Sequence, residues 1–317
     1  MVHSALAQSL REIEVLIVDD ASTDGTVEQA AALARLDARV KLLRHEVNRG
    51  AGAARNTGIA AARGEWVAPV DADDALEPDR LARLCAAGDA LGADLIADNL
   101  LFDDDEGGPE HAWPPGLLRQ LSPLDIAALV RSDMPRNGTC SFGYLKPMMR
   151  RAFLERHGLR YDERLFMTED FHLFASAVLA GARFCCVDWP GYRYRRRAGS
   201  LSRAPERFER NLLAAVEGSR RLAERAAQAG APAAVALLRR HRHAIELTLW
   251  LDRVKRALRK RHWRVLARAL REVPPHPVAL LRLLAARIAA GAWHTPTARP
   301  QLGVRSGSVR SQARAPG

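Results

Sequence analysis

The chain has 317 residues, enough for one large α/β domain with an appendage or for two domains, and a core of that size needs no disulfide staple. The four cysteines, Cys85, Cys140 and the adjacent Cys185 and Cys186, form no CxxC pair and no Cys/His ligand spacing. That excludes a structural zinc and predicts buried, reduced thiols. The net charge is +11, yet residues 1–190 carry 20 basic and 30 acidic side chains whereas residues 191–317 carry 28 and 7. An acidic half suits a metal-dependent site, and a basic half suits an anionic surface, either lipid headgroups or nucleic acid. No apolar stretch approaches the ~18 residues of a membrane span and no secretory signal opens the chain, so the expectation is a cytoplasmic protein.

In chain order, residues 4–11 read as the end of a helix running into the β-branched run 13–18, a buried parallel strand that ends at Asp19 and Asp20. Ser22 to Gly25 supply turn and N-cap residues for a helix to about Leu36, and residues 40–43 form a second strand. The loop Asn48 to Gly52 leads into an Ala-rich helix over 53–62, then a strand over 66–70 and the acidic run Asp71-Ala72-Asp73-Asp74. A helix over 78–91 and a strand over 94–101 continue the pattern, and residues 103–116 read as an acidic surface loop. Residues 142–147 read as irregular structure at the mouth of a crevice, followed by a helix from Thr168 to about Ala180 and a short strand over 184–187. Beyond Pro205 the chain becomes helical, in segments near 206–229, 231–258, 260–272 and 277–290, and the tail from Thr295 has the composition of a disordered segment. Alternating strands and helices predict a mostly parallel sheet flanked by helices, whose ligands bind beyond the carboxyl ends of the strands. Asp19, Asp20 and the run 71–74 sit at two such ends, so their acids are expected to converge on one crevice.

Asp71 and Asp73, two residues apart where a strand becomes a loop, can both reach one hard divalent cation of the kind that is shared with substrate phosphates. The same run reads equally as an acidic turn with Asp74 capping the next helix, and Asp19 with Asp20 as the approach to an N-cap box. Gly50-Ala51-Gly52 misses the dinucleotide fingerprint because Arg55 stands where a third glycine belongs, which removes nicotinamide binding. Arg55 suits an acid or a phosphate instead. Glu169 and Asp170 at a helix N-terminus are either dipole caps or a general base at the crevice mouth. The run Arg193, Arg195, Arg196 and Arg197 with Ser200 and Ser202 is either a pyrophosphate-neutralising loop or a solvated charge run. His241 and His243 have no ligand geometry, and no P-loop, GxSxG or HExxH occurs.

Taken together, Glu14 to Thr26, Asn48 to Gly58, Ala62 to Trp66, Asp71 to Asp74 and Thr168 to Asp170 resemble, in order and spacing, the family 2 glycosyltransferases of GT-A fold, across roughly residues 3–203. Gly143 to Pro147 and the stretch from Gly181 to Ser202 further resemble bacterial exopolysaccharide enzymes of succinoglycan type. The resemblance implies a Rossmann-like GT-A sheet and inverting transfer from a nucleotide sugar, a UDP-sugar foremost, to a lipid-linked or glycan acceptor. It places Asp19, Asp20, Arg55 and Asp71 at the donor nucleotide, Mn²⁺ or Mg²⁺ at Asp73 and Asp71, and Asp170 with Glu169 as the base. Lys146 and Arg197 would contact the pyrophosphate or acceptor.

Such enzymes begin with a strand and a base-contacting turn before their first helix, whereas this chain begins near that helix's end. The expectation is therefore a GT-A domain over 1–205 without its central strand, exposing an unpaired sheet edge. A non-catalytic family member that binds membrane or a partner is the alternative. Residues 206–294 form a basic helical region outside the resemblance, and 295–317 the tail. Arg253, Lys255, Arg256, Arg259, Lys260, Arg261 and Arg264 interleave with Leu251, Val254, Leu258, Trp263, Val265 and Leu266. That pattern fits either a peripheral contact with the inner face of the cytoplasmic membrane or packing on the catalytic domain. Sparse aromatic residues in the basic half argue against nucleic acid.

Overall fold

The computed structural model describes residues 1–103, 109–135, 140–195 and 208–271. The first helix, α1 (Val2–Leu6), precedes β1 (Val15–Asp19), α2 (Thr26–Leu36), β2 (Val40–Arg44) and α3 (Ala51–Ala61). β1 and β2 pair in parallel, Val15 opposite Val40 and Asp19 opposite Arg44. Among the described residues no strand pairs with the other edge of β1. Leu16, Ile17 and Val18 are accordingly half-buried, where the apolar run predicted a strand closed on both faces.

A second, six-stranded sheet holds the core. Its order is β3 (Trp66–Val67), β7 (Met148–Arg150), β5 (Leu95–Asp103), β8 (Phe184–Arg195) and β4 (Ala75–Leu76), with β6 (Glu110–His111) beside β5. Within it only β5 and β8 run parallel, and the remaining four pairings are antiparallel. The expected strand over 66–70 keeps only two residues in a ladder, and the strand expected over 184–187 continues to Arg195 because β5 offers it a partner as far as Asp103. The α/β class predicted from the sequence is the one observed, with a mixed rather than mostly parallel large sheet. Leu84 on α4 (Arg80–Ala90), Leu95 and Ile96 on β5, Leu154 on α7 (Arg151–Arg156) and Phe184 on β8 are all fully buried. Each such side chain contributes about 1.5–3 kcal/mol relative to exposure.

One buried ion pair locks the middle of this layer. Arg80 and Asp98, both fully buried, join through two bonds of 2.9 and 2.8 Å, and Arg80 Nη2 also donates to the Lys146 carbonyl at 2.5 Å. The Gly191 amide donates to Asp98 at 3.0 Å, and a Cβ at Gly191 would lie 2.4 Å from the Trp189 ring and 2.5 Å from the Asp98 carboxylate. Only glycine allows that approach.

Two short helices, α5 (Leu117–Leu121) and α6 (Ile126–Ser132), and a 3₁₀ turn over Phe142–Tyr144 connect β6 to β7. After α8 (Glu169–Leu179) and β8 come α9 (Phe208–Gln228), α10 (Pro232–Arg259) and α11 (Trp263–Arg271). α9 packs on α8 so closely that a Cβ at Gly218 would stand 2.3 Å from His172 Nε2. α10 ties back through His241, which is 1% exposed and bonds Ser219 at 3.1 Å and the Asp133 carboxylate at 3.2 Å. Asp133 in turn accepts from Ser141 Oγ at 2.6 Å, at the head of the 3₁₀ turn. Trp250 and Leu251 are buried, and Arg253 and Arg256 pair with Glu209, whereas Trp263 and Val265 on α11 are 65% and 51% exposed. No helix of the described residues is long and apolar enough to cross a membrane. The helix expected over 277–290 and the tail over 295–317 lie outside the described residues.

Candidate active site

Asp20 follows β1 and faces the start of α3. Its carboxylate accepts from the Arg49 amide at 2.9 Å and the Gly50 amide at 2.7 Å, and pairs with His45 Nδ1 at 2.7 Å. Burial works against its ionisation, but the two amides and the imidazole hold the carboxyl below its usual range. Gly50, at φ +91°, turns the chain into α3 in a conformation that side-chain-bearing residues rarely adopt. Asp19 is buried with its Oδ2 accepting from the Ser22 amide at 3.3 Å, while its Oδ1 has no partner among the described residues.

One turn into α3, Arg55 reaches across to the ends of two other elements. Its guanidinium lies 2.7 Å from Asp71 Oδ1, 2.7 Å from Glu169 Oε1 and 3.7 Å from Asp170 Oδ1, with its Cζ 5.3 Å from the Tyr161 ring centroid. Lys146, between the 3₁₀ turn and β7, places Nζ 2.9 Å from Asp71 Oδ2 and 3.0 Å from Asp170 Oδ2. Arg55, Asp71, Lys146 and Asp170 thus close a ring of alternating charge, with Glu169 attached through Arg55. Burial disfavours the Asp71 charge, yet Lys146 and Arg55 together hold its carboxyl well below the ordinary range. Burial likewise opposes the Lys146 charge, and Asp170 and Asp71 overcome it, keeping the ammonium above its usual value. Glu169 goes the other way: burial and then the charge of Asp170 push its carboxyl up, Arg55 opposing. Glu169 Oε2 is buried without a partner among the described residues.

The turn 71–74 is held from β8. The Asp71 amide donates to the Tyr192 hydroxyl at 3.0 Å, and that hydroxyl donates to Asp74 Oδ2 at 2.6 Å. The Arg195 amide donates to Asp74 Oδ1 at 2.9 Å. Burial pushes the Asp74 carboxyl up to about 6, with its bonds to Tyr192 and Arg195 opposing and the charges of Asp71 and Asp73 adding to the rise. Asp74 therefore anchors the turn from inside. Asp73 is exposed and makes no hydrogen bond or ion pair with another described residue.

These contacts sort the residues expected from the sequence. Arg55, Asp71, Lys146, Glu169 and Asp170 come together, Asp20 stands at the N-terminal end of the helix that carries Arg55, and Asp19 precedes Asp20 as the last residue of β1. Arg197 lies outside the described residues. Among the described residues no three His, Cys, Asp or Glu side chains are grouped to hold a metal. Of the two acids expected to bind a cation, Asp71 has both oxygens taken by Arg55 and Lys146, whereas the Asp73 carboxylate is open; one or two carboxylates plus substrate phosphates suffice for a hard divalent ion. Asp73 fits such an ion, and Asp71 is better placed to orient the ring. Sequence reasoning missed Tyr192 and Tyr161, whose only trace is an aromatic residue beside charged neighbours.

A family model described as glycosyl transferase family 2 matches residues 1–153. The chain is 42% identical over 202 residues to the succinoglycan biosynthesis protein ExoO of Rhizobium meliloti, covering 64% of this chain and 58% of that protein. It is 39% identical to ExoU of the same organism, covering 63% and 58%, so it spans little more than half the length of either. Glycosyltransferase GlyG of Streptococcus pneumoniae is 30% identical, with 64% of this chain and 67% of that protein covered. Among solved structures, residues 1–349 of S. aureus TarS in complex with UDP-GlcNAc superpose with a TM-score of 0.64 at 21% identity, over 85% of this chain and 74% of that one. The sequence likeness runs through the segments that carry Asp19, Arg55, Asp71 and Lys146, and the chain belongs to glycosyl transferase family 2.

Proposed function

We propose that this chain transfers a sugar from a nucleotide-sugar donor, a UDP-sugar, to a hydroxyl of a lipid-linked or polysaccharide acceptor in cell-surface polysaccharide synthesis. The observation that carries the reading is the ring formed by Arg55, Asp71, Lys146 and Asp170, brought together from four separate segments of the chain. Asp19, with one buried carboxylate oxygen open, suits the ribose or base of the donor, and Asp20 holds the loop that shapes that end. Arg55 and Lys146 supply fixed positive charge where a departing diphosphate gathers negative charge. Asp170 takes the proton of the acceptor hydroxyl as its oxygen bonds to the anomeric carbon and the bond to the diphosphate breaks, so the configuration inverts. Glu169 tethers Arg55 beside that base. A divalent cation, Mn²⁺ or Mg²⁺, held through Asp73 would add charge neutralisation at the diphosphate.

Association with the inner face of the cytoplasmic membrane is part of the proposal. The exposed Trp263 and Val265 stand beside exposed Arg259, Lys260, Arg261 and Arg264, a basic amphipathic surface suited to anionic lipid. The non-catalytic alternative draws on the edge of β1, the strand that carries Asp19, which has no partner among the described residues. Calorimetric titration with UDP, GDP and their sugar conjugates, with and without Mn²⁺, separates the two. Metal-dependent binding that Asp73→Ala weakens, together with transfer that Asp170→Asn abolishes, is expected. A folded chain that binds no nucleotide overturns the catalytic reading.

A further inference from the structure

An aromatic series leads from the acidic turn to the surface. Tyr192 and Tyr194 lie two residues apart on β8, so their side chains leave the same face of the strand. Tyr192 is fully buried with its hydroxyl on the Asp71 amide and Asp74. Tyr194, further out, meets the ring of Tyr144 edge-on at 6.0 Å and is backed by Phe102 at 5.8 Å, also edge-on. Burial, then Tyr144, push the Tyr194 phenol up to about 12; Asp71 and Asp74 push the same way and Lys146 opposes, which places the ring within the field of the charged site. Tyr144, in the 3₁₀ turn leading to Lys146, is 42% exposed. Its neighbour Gly143 presses on the first turn of α8, where a Cβ would stand 3.1 Å from Phe171 Cβ, next to Asp170.

An exposed tyrosine, held edge-on by a second, two residues before the Lys146 ammonium and in a turn packed on the helix end that carries Asp170, has the chemistry of a sugar subsite. The electron-rich ring face accepts the polarised C–H groups of a pyranose, while charged groups at its rim take the hydroxyls. The platform lies on the Lys146 side of the charged ring, whereas Asp19 and Asp20 mark the α3 side. We infer that Tyr144, supported by Tyr194, is a stacking platform for a pyranose ring of the acceptor, beside Asp170. The inference rests on the glycosyltransferase reading for the word acceptor, but not for the binding of a pyranose.

The test uses the full chain and ligand-observed NMR with methyl β-D-glucopyranoside, methyl β-D-galactopyranoside, cellobiose and lactose as probes. Nucleotide calorimetry runs in parallel, and far-UV circular dichroism checks each variant's fold. Saturation transfer to one face of a pyranose ring is expected in the wild type. Tyr144→Phe should retain it, and Tyr144→Ala and Tyr144→Leu should weaken it by about tenfold with nucleotide affinity unchanged. The inference is overturned if the wild type binds nucleotide but none of the four saccharides, or if Tyr144→Leu binds saccharide like the wild type. Equal loss in Tyr144→Phe also overturns it, because stacking would then not be the cause, and so does loss of nucleotide rather than saccharide, because the platform would then hold a base. Saccharide binding at Tyr144 in a chain that binds no nucleotide would uphold the platform and sink the glycosyltransferase reading.

Discussion

Replacing Lys146 with methionine keeps most of the side-chain volume and removes one positive charge from a cluster, the ring with the attached Glu169, that carries three carboxylates against two cations. The Lys146 side chain is 6% exposed, and Asp71 and Asp170, 27% and 14% exposed, stand at 2.9 and 3.0 Å. Removing one member of a buried ion pair costs about 3–5 kcal/mol, because the partner stays desolvated and unpaired. Lys146 serves two partners and Arg55 remains to hold both, so we expect about 4 kcal/mol at pH 7. Five charges summing to −1 become four summing to −2, and the site answers by binding a proton. Glu169, whose carboxyl burial and Asp170 already push up, is the acid best prepared to take it. The folded variant then binds more protons than its unfolded chain, so its stability rises as pH falls, opposite to a site of depressed carboxyl groups. Urea denaturation of wild type and Lys146→Met at pH 7.5 and pH 5.5 should show a deficit that shrinks on acidification. A deficit under about 1 kcal/mol, or one equal at both pH values, would refute the claim that Lys146 neutralises buried acids.

Other expectations follow from single contacts. The Asp74 carboxyl, raised to about 6 from an ordinary 3.8, favours the folded state below its folded value, and that advantage disappears as pH rises through 6. The wild type should gain up to about 3 kcal/mol between pH 7 and pH 4 relative to Asp74→Asn, measured by urea denaturation at both values. Tyr192→Phe removes the hydroxyl shared by the Asp71 amide and Asp74, and should lose about 1–3 kcal/mol of stability. Because the same turn carries Asp73, a larger loss in metal-dependent nucleotide affinity than in stability should accompany it in calorimetry. Gly218→Ala brings a Cβ against His172 and should destabilise by about 1–3 kcal/mol; an unchanged thermal midpoint would contradict the packing of α9 on α8.

Much of the fold was legible because the strong signals are local. The run 13–18 with the acid pair at its end and the helix opening at Glu169 each follow from neighbouring residues, and the structure forms β1, α3 and α8 within two or three residues of the expected bounds, whereas Asp71 to Asp74 lie in a turn before β4 and not at the end of a strand. Non-local pairing was not legible. β8 extends to Arg195 because β5 lies alongside it, and β3 stops at Val67 because no described strand pairs with 68–70. The residues of the charged ring were visible as candidates, but their arrangement was not, since Arg55 and Asp71 could have faced different partners. Asp74 and Tyr192 were hidden for a related reason: a buried tyrosine hydroxyl finds its partner through tertiary contact, and Tyr192 stands just before the run of arginines that read as either a pyrophosphate-neutralising loop or a solvated charge run. His241, which the sequence marked only by its lack of ligand geometry, is a buried link between α10, α9 and the end of α6.

That link bears on how the molecule can be divided. A chain cut after residue 207 would keep every strand of both sheets, yet it would bare Phe171 and His172 on α8, which now meet His241 and Gly218. Asp133, which accepts from Ser141 at the head of the 3₁₀ turn that leads to Lys146, would lose its bond to His241. Shortened versions made to simplify expression would therefore report on a loosened site. Sequence changes on the α9–α10 hairpin, far along the chain from Asp71 and Asp170, become a place where the charged ring could be adjusted from a distance.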